Sequence, residues 1–238
     1  NTVTTNEDVD HTFVAAEFGF SDVDTADTLS QVEITTLPGA GTLYLDANTD
    51  GVVDGGEAVT ALDAIAVADI AGFQLKFKPV AEASGVAYTT FTFKVHDGTT
   101  YSTSAYTMTI DVTAVNDPPT AANNTVTTNE DTDHTFAEVE FGFSDTDGGS
   151  LTEIEITTVP TVGTLYVDAN TDGIVDAGEA VSTNDVILVA AITGSTLKFK
   201  PALDGNGPNY ASFTFKVSDG DYSVAAYTMT INVTALND

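Results

Sequence analysis

Residues 91–98 read FTFKVHDG, and residues 213–220 read FTFKVSDG. Phe91, Phe93 and Val95 alternate with Thr92 and Lys94. That is the period of a strand with one face buried. Working outward, the same alternation runs through Leu75-Lys-Phe77-Lys and Tyr106-Thr-Met108-Thr-Ile110-Asp-Val112, and Val32-Glu-Ile34 and Leu43-Tyr-Leu45 add two more strands. Gly, Pro, Asn and Asp punctuate between them. About seven short strands in ~120 residues predict an all-β, immunoglobulin-like Greek-key sandwich. One stretch stays open: Asp63 to Gly72 fits either a helical turn before Gly72 or a buried strand, and its counterpart, Asp185 to Gly194, looks more strand-like because it is β-branched.

The unit is written twice. TVTTNED at 2–8 returns at 125–131, LKFKP at 75–79 returns at 197–201, and YTMTIDVTAVND at 106–117 returns as YTMTINVTALND at 227–238. A repeat this long is a whole domain rather than a solenoid turn. The expected domains are residues 1–117 and 118–238, because Pro118-Pro119 stiffens the connection and cannot continue a strand ladder. The last residues, Asn237-Asp238, align with Asn116-Asp117, which predicts a parent protein built as a longer array of such units.

Composition narrows the chemistry. The 238 residues contain 36 Asp+Glu against 6 Lys+Arg, a net charge of −30, and all six basic residues are lysines. Such a surface repels nucleic acid and anionic lipid and calls for cations or salt. Cysteine is absent, which excludes disulfides, thiolate metal sites and a cysteine nucleophile. No run of 18 apolar residues suits a membrane span, and NTVTTNED at the start is not a signal peptide, so any targeting segment is expected outside this stretch.

The acidic residues are not scattered. Residues 46–57 read DANTDGVVDGGE, with oxygen-bearing side chains at loop positions 1, 3, 5, 9 and 12 and Gly51 at position 6. This satisfies the calcium-loop pattern D-x-[DN]-x-[DN]-G-x5-E. Calcium takes six to eight hard oxygens at ~2.3–2.6 Å. Asp46, Asn48 and Asp50 can curl around one ion if the chain turns after them, which a glycine at positive φ permits. The Val52 carbonyl, Asp54 and Glu57 then complete the expected set. The second copy supplies Asp168, Asn170, Asp172, Ile174 (through its carbonyl), Asp176 and Glu179. Flanking residues are strand-like, so a calcium-stapled β-hairpin is expected rather than a helix–loop–helix. A polar hairpin tip is the simpler alternative, since Asn-Thr-Asp-Gly is also good turn chemistry.

Other features read as structural. No serine elbow, cysteine or fixed partner accompanies His11, His96 or His134, so His11 and His134 are expected on an exposed edge strand and catalysis is not expected. Tyr44 and Tyr166 are expected on the outer face of the hairpin.

The order of motifs in each half resembles the cadherin-like tandem repeats of large bacterial surface adhesins. The resembling residues are Asn6-Glu7-Asp8, Asp22-Val-Asp24, His96-Asp97-Gly98 and Val115-Asn116-Asp117-Pro118-Pro119, with second copies at Asn129-Glu130-Asp131, Asp145-Thr-Asp147, Ser218-Asp219-Gly220 and Leu236-Asn237-Asp238. The resemblance covers essentially the whole chain. It implies calcium ions between successive domains, held here by Glu7, Asn116, Asp117, Asp145, Asp147 and Asp219, with Glu82 as a further candidate. Ala114 and Pro118 depart from the family's linker pattern, which implies fewer ions than a full cluster. Asp22, Asp24 and Asp97, and Glu130 and Asp204, are expected to form weak or empty sites. The implied role is a calcium-rigidified extender of a secreted or cell-surface bacterial adhesin. Its partners would be neighbouring repeats and an unspecified glycan or surface protein. A carbohydrate-binding module is the alternative.

Overall fold

The structure is a computed structural model, and it describes residues 1–23 and 27–237. Asp24 and Asp238, singled out above, lie outside the described residues. The chain divides into two compact units, Asn1–Val115 and Asn116–Asp238.

The first unit contains strands Thr2–Asn6 (β1), His11–Thr12 (β2), Gln31–Thr36 (β3), Thr42–Leu45 (β4), Ala64–Ala66 (β5), Leu75–Lys78 (β6), Gly85–His96 (β7) and Tyr106–Thr113 (β8). A 3-10 turn, Ala15–Phe18, follows β2, and a short helix, Val67–Ala71 (α1), follows β5. One sheet has the order β1-β8-β7-β3-β5 and the other β2-β6-β4. β1 pairs parallel to β8, and the remaining pairings are antiparallel. The chain crosses between sheets after each of β1 to β6, which gives the immunoglobulin-like Greek-key sandwich.

The second unit repeats this with Asn124–Asn129 (β9), His134–Thr135 (β10), Glu153–Thr158 (β11), Thr164–Val167 (β12), Val186–Leu188 (β13), helix Val189–Thr193 (α2), Leu197–Lys200 (β14), Gly207–Ser218 (β15) and Tyr227–Thr234 (β16). Its sheets run β13-β11-β15-β16-β9 and β10-β14-β12.

Alternation explains the layers. Along β8, Met108, Ile110 and Val112 are buried while Thr107, Thr109 and Asp111 point away from the core. Phe91 and Phe93 of β7 are fully buried and meet Phe13 and Phe18 edge-on, with ring centroids 5.7 and 5.0 Å apart. Phe213 and Phe215 repeat the arrangement against Phe136 and Phe141 at 5.5 and 5.1 Å. Each such buried ring contributes roughly 1.5–3 kcal/mol from removed apolar surface.

The open stretch turns out to contain both elements. β5 pairs for three residues at the sheet edge, then α1 makes one turn that buries Ile70 and stops at Gly72. The β-branched counterpart does the same, with Ile192 buried. Residues 186–188 already fill the pairing register with β11, so the rest of the apolar run caps the sheet end as a turn.

Two expectations need correction. Tyr44 and Tyr166 are fully buried, not on an outer face. The Tyr44 hydroxyl donates to Asp10, and Tyr166 donates to Asp133 at 2.5 Å. After the loop, Ala58 returns to bridge Tyr44 and Ala180 returns to bridge Tyr166, which covers that face of the hairpin. His11 and His134 do lie on the edge strands β2 and β10, but their side chains are mostly buried. Each ring sits edge-on to a phenylalanine, 4.7 Å from Phe13 and 4.8 Å from Phe136. Each Nε2 lies 3.3 or 3.2 Å from the carboxylate of Glu17 or Glu140.

Candidate functional site

The twelve-residue loop closes a hairpin. Leu45 N–H donates to the Glu57 carbonyl and Val59 N–H to the Leu43 carbonyl, so the segment after the loop lies against β4. Gly51 adopts φ 74°, the left-handed conformation expected of it.

Inside the loop, carboxylates bind the loop's own donors. Asp46 is fully buried. Its Oδ1 accepts the Asp50 amide and its Oδ2 the Gly51 amide, both at 3.1 Å. The Lys76 ammonium reaches the same Oδ2 at 2.6 Å. That ammonium, with the two amides, holds the Asp46 carboxyl below the usual carboxylate range despite its burial. Glu57 accepts the Ala47 amide at 3.1 Å and the Asp54 amide at 3.0 Å, tying the start of the loop to its end. Asp50 Oδ1 accepts the Val52 amide at 2.8 Å. Asn48 Nδ2 stands between Asp50 Oδ2 at 2.9 Å and Asp54 Oδ2 at 3.1 Å.

The second loop repeats these contacts and adds one, the Lys200 ammonium donating to the Gly173 carbonyl at 2.9 Å where its counterpart Lys78 faces Asp10. Lys198 meets buried Asp168 at 2.6 Å, Asn170 Nδ2 bridges Asp172 and Asp176 at 3.0 Å each, Ile174 N–H donates to Asp172 at 2.8 Å, and Glu179 takes the Ala169 and Asp176 amides. The Asp168 carboxyl is depressed first by the Lys198 hydrogen bond.

These loops suit a hard cation by their donor chemistry. Asn48 Nδ2 occupies the point between two carboxylate oxygens, of Asp50 and Asp54. Rotating the amide by half a turn exchanges that nitrogen for an oxygen ligand.

The other predicted residues fall into two groups. Glu7 is buried where β1 and β8 end, and its Oε1 accepts the Val115 amide at 2.6 Å. Glu130 does the same for Leu236 at 2.5 Å and also takes Asn206 Nδ2 at 2.6 Å. Glu82 N–H donates to Asp8 at 3.3 Å.

Asn116, Asp117, Asp145, Asp147 and Asp219 come together at the end of the second sandwich where the chain enters it. Asp117 N–H donates to Asp147 Oδ2 at 2.6 Å, and Asn116 Nδ2 reaches Asp221 Oδ2 at 3.2 Å and Asp219 Oδ1 at 3.5 Å. Asp145 Oδ1 takes the Gly149 amide at 2.7 Å. Asp145 Oδ2 and Asp219 Oδ2, however, are buried and have no hydrogen-bond partner. A methyl group on Gly149 would lie 2.7 Å from Asp219 Oδ2 and 3.0 Å from Asp145 Oδ1, so both carboxylates face one small space. Two buried, uncompensated carboxylate oxygens are costly. A hard cation supplies what they lack, and the donor set fits one.

The corresponding end of the first unit is built differently. Asp22, Asp27 and Asp97 each bring an oxygen within 4.8 Å of the others. Asp97 accepts the Thr99 and Thr100 amides at 2.6 and 2.7 Å, and these hydrogen bonds, Thr100 first, lower its pKa. Sequence reasoning missed Asp27 and Asp221. Asp27 stands where the second copy has Gly149, offset by an inserted residue, and Asp221 stands where the first copy has Thr99. Aligning the two copies at those positions is the signal that finds them.

Among the described residues, no helix is long and apolar enough to cross a membrane. No curated protein matches the sequence. Solved structures similar to this chain include human mucin-like protocadherin EC1-2, at 16% identity and TM-score 0.37, covering 99% of this chain and 96% of that one. Human protocadherin-24 EC1-2 shows 14% identity and TM-score 0.48, over 99% and 95% of the two chains. An endo-fucoidan hydrolase from glycoside hydrolase family 107 shows 18% identity and TM-score 0.27; 99% of this chain is covered, but it spans only 28% of the hydrolase. Residues 116–234, half of the chain, match the Bacterial Ig domain family. The chain belongs to the Bacterial Ig domain family.

Proposed function

We propose that this chain is a calcium-binding structural module, an extender in a secreted or surface-anchored bacterial adhesin, with no catalytic role of its own. The observation that carries this reading is that Asp145 and Asp219, whose carboxylates flank one small space beside Gly149, each leave one oxygen (Oδ2) buried without a hydrogen-bond partner. The ligands assigned there are Asn116, Asp117, Asp145, Asp147 and Asp219, with Asp221 added. Those of the loops are Asp46, Asn48, Asp50, Val52, Asp54 and Glu57, and Asp168, Asn170, Asp172, Ile174, Asp176 and Glu179. Glu7 is retained as a ligand where β1 and β8 end. The repeat seam is placed at Asp117–Pro118, and the partners are neighbouring repeats of the same protein.

A net charge of −30 supports this role, because divalent ions relieve the self-repulsion of an acidic chain at its points of highest carboxylate density. Bound only to the folded form, calcium adds about 2.7 kcal/mol per site at a hundredfold excess over Kd. The test is a calorimetric titration of the chain with CaCl2, paired with thermal unfolding in chelator and in CaCl2. Heat of binding and a raised melting temperature support the proposal. Equal melting temperatures in the two buffers overturn it.

A further inference from the structure

We propose that Lys76 and Lys198 are built-in counter-cations of the two acidic loops, holding each loop in shape without metal and setting a weak affinity for divalent ions. The inference rests on the reading that these loops take calcium, and it assigns the residue that tunes them.

Both lysines come from outside the motif. Lys76 lies on β6, opposite Tyr44 of β4, and Lys198 lies on β14, opposite Tyr166 of β12. The lysine side chains are only 18% and 19% exposed, so neither ammonium is a mobile surface tail. Each meets loop position 1, Asp46 or Asp168, at 2.6 Å, and both carboxylates are 0% exposed. A charge-assisted bond of that length between covered groups is a fixed part of the fold.

Its effect on metal follows from charge. Each loop gathers four carboxylates, and a calcium loop's affinity depends on ligand charge count and rigidity. An ammonium on the first ligand cancels one of those charges and repels an arriving dication. The same ammonium, with the amides held by Glu57 or Glu179, gives the metal-free loop a partner for its most buried acid. The lysine therefore trades affinity for a loop that persists when calcium is scarce.

The experiment uses the 238-residue chain with Lys76→Met and Lys198→Met together, beside the charge-keeping pair Lys76→Arg and Lys198→Arg. Each is titrated with CaCl2 in a calorimeter and melted in chelator and in saturating CaCl2. Asp46→Ala with Asp168→Ala identifies the heat that belongs to the loops. The Met pair is expected to melt lower in chelator, to recover most of that loss in CaCl2, and to bind loop calcium about tenfold more tightly. The Arg pair is expected to keep wild-type melting in chelator. An unchanged loop dissociation constant in the Met pair, or an equal melting loss in both buffers, overturns the inference while leaving calcium binding intact. Wild-type heats that the Asp→Ala pair does not reduce overturn the loop assignment itself. Should the Met pair fail to fold in chelator, rescue by CaCl2 supports the inference and failure in both buffers overturns it.

Discussion

Asp46 and Asp219 are both carboxylates that sequence spacing marks as cation ligands, yet their surroundings differ in kind. Asp46 is surrounded by donors: two amides and an ammonium from the same unit. Asp219 accepts the Asp221 amide on one oxygen at 3.2 Å and leaves the other buried with nothing. The loop is a self-satisfied acidic turn, and the sandwich end is an unfinished one. Density of negative charge alone therefore does not identify where an ion is most needed; the count of unsatisfied acceptors does.

The comparison can be broken most sharply at the unfinished end. Asp145→Asn with Asp219→Asn removes the two like charges and brings in donors. Metal-free melting is expected to rise, and the calcium-induced gain at this end, about 2.7 kcal/mol at a hundredfold excess over Kd, is expected to vanish. For a unit of this size that gain is on the order of 10 °C in Tm. Calorimetric thermal scans in chelator and CaCl2 check both directions. A calcium gain that survives the double change would mean that the loops, not the end, hold the stabilising ion.

Gly149→Ala probes the same space sterically. The added methyl group would sit against Asp219 Oδ2 at 2.7 Å, so calcium affinity is expected to weaken about tenfold, roughly 1.4 kcal/mol. A calcium titration reads this directly. In the loops, Gly51→Ala meets no neighbour but forces alanine to φ 74°, which costs about 1 kcal/mol whether or not metal is present. Urea unfolding in both buffers separates the two glycines: one change should depend on calcium and the other should not.

The mildest probe near neutrality is pH. Asp46 and Asp168 titrate below the unfolded value of about 3.9, so the stability they add is complete above it. It is lost as pH falls below about 4 through their depressed folded values. Melting of the metal-free chain from pH 6 downward should show that loss, and Asp46→Asn with Asp168→Asn should remove this part of it. At the alkaline side, burial and a hydrogen bond to Glu153 push the Tyr222 phenol up to about 12. The stability it adds is present below about pH 10 and disappears between about 10 and 12, so Tyr222→Phe should remove this part of that limb and leave the part owed to Tyr44 and Tyr166, whose phenols are also raised.

Much of this was legible in the sequence because the signals are local. Strands β3, β4, β6, β7 and β8 follow from two-residue alternation, and the proposed loop ligands sit at fixed offsets from Asp46. What stayed hidden depends on pairing between distant residues. Lys76 reaches Asp46 only because β6 lies beside β4 in the register that sets Lys76 opposite Tyr44. Tyr44 looked outward because alternation assumes one open face, whereas the loop's returning segment and Asp10 close the other. Asp27 belongs to a loop brought alongside Asp97 by the sandwich, whereas Asp221 follows Asp219 by two residues in one loop and has no acidic counterpart in the first copy, which carries Thr99 there.

One detail of the strand order bears on how such a unit meets tension. β1 runs parallel to β8, with Thr2 beside Thr109 and Asn6 beside Thr113, and β9 runs parallel to β16 in the same way. Pulling a unit by its two termini therefore drags these neighbours past each other lengthwise. The bonds of the ladder must rupture together instead of peeling one by one, a layout suited to a tether that resists being stretched.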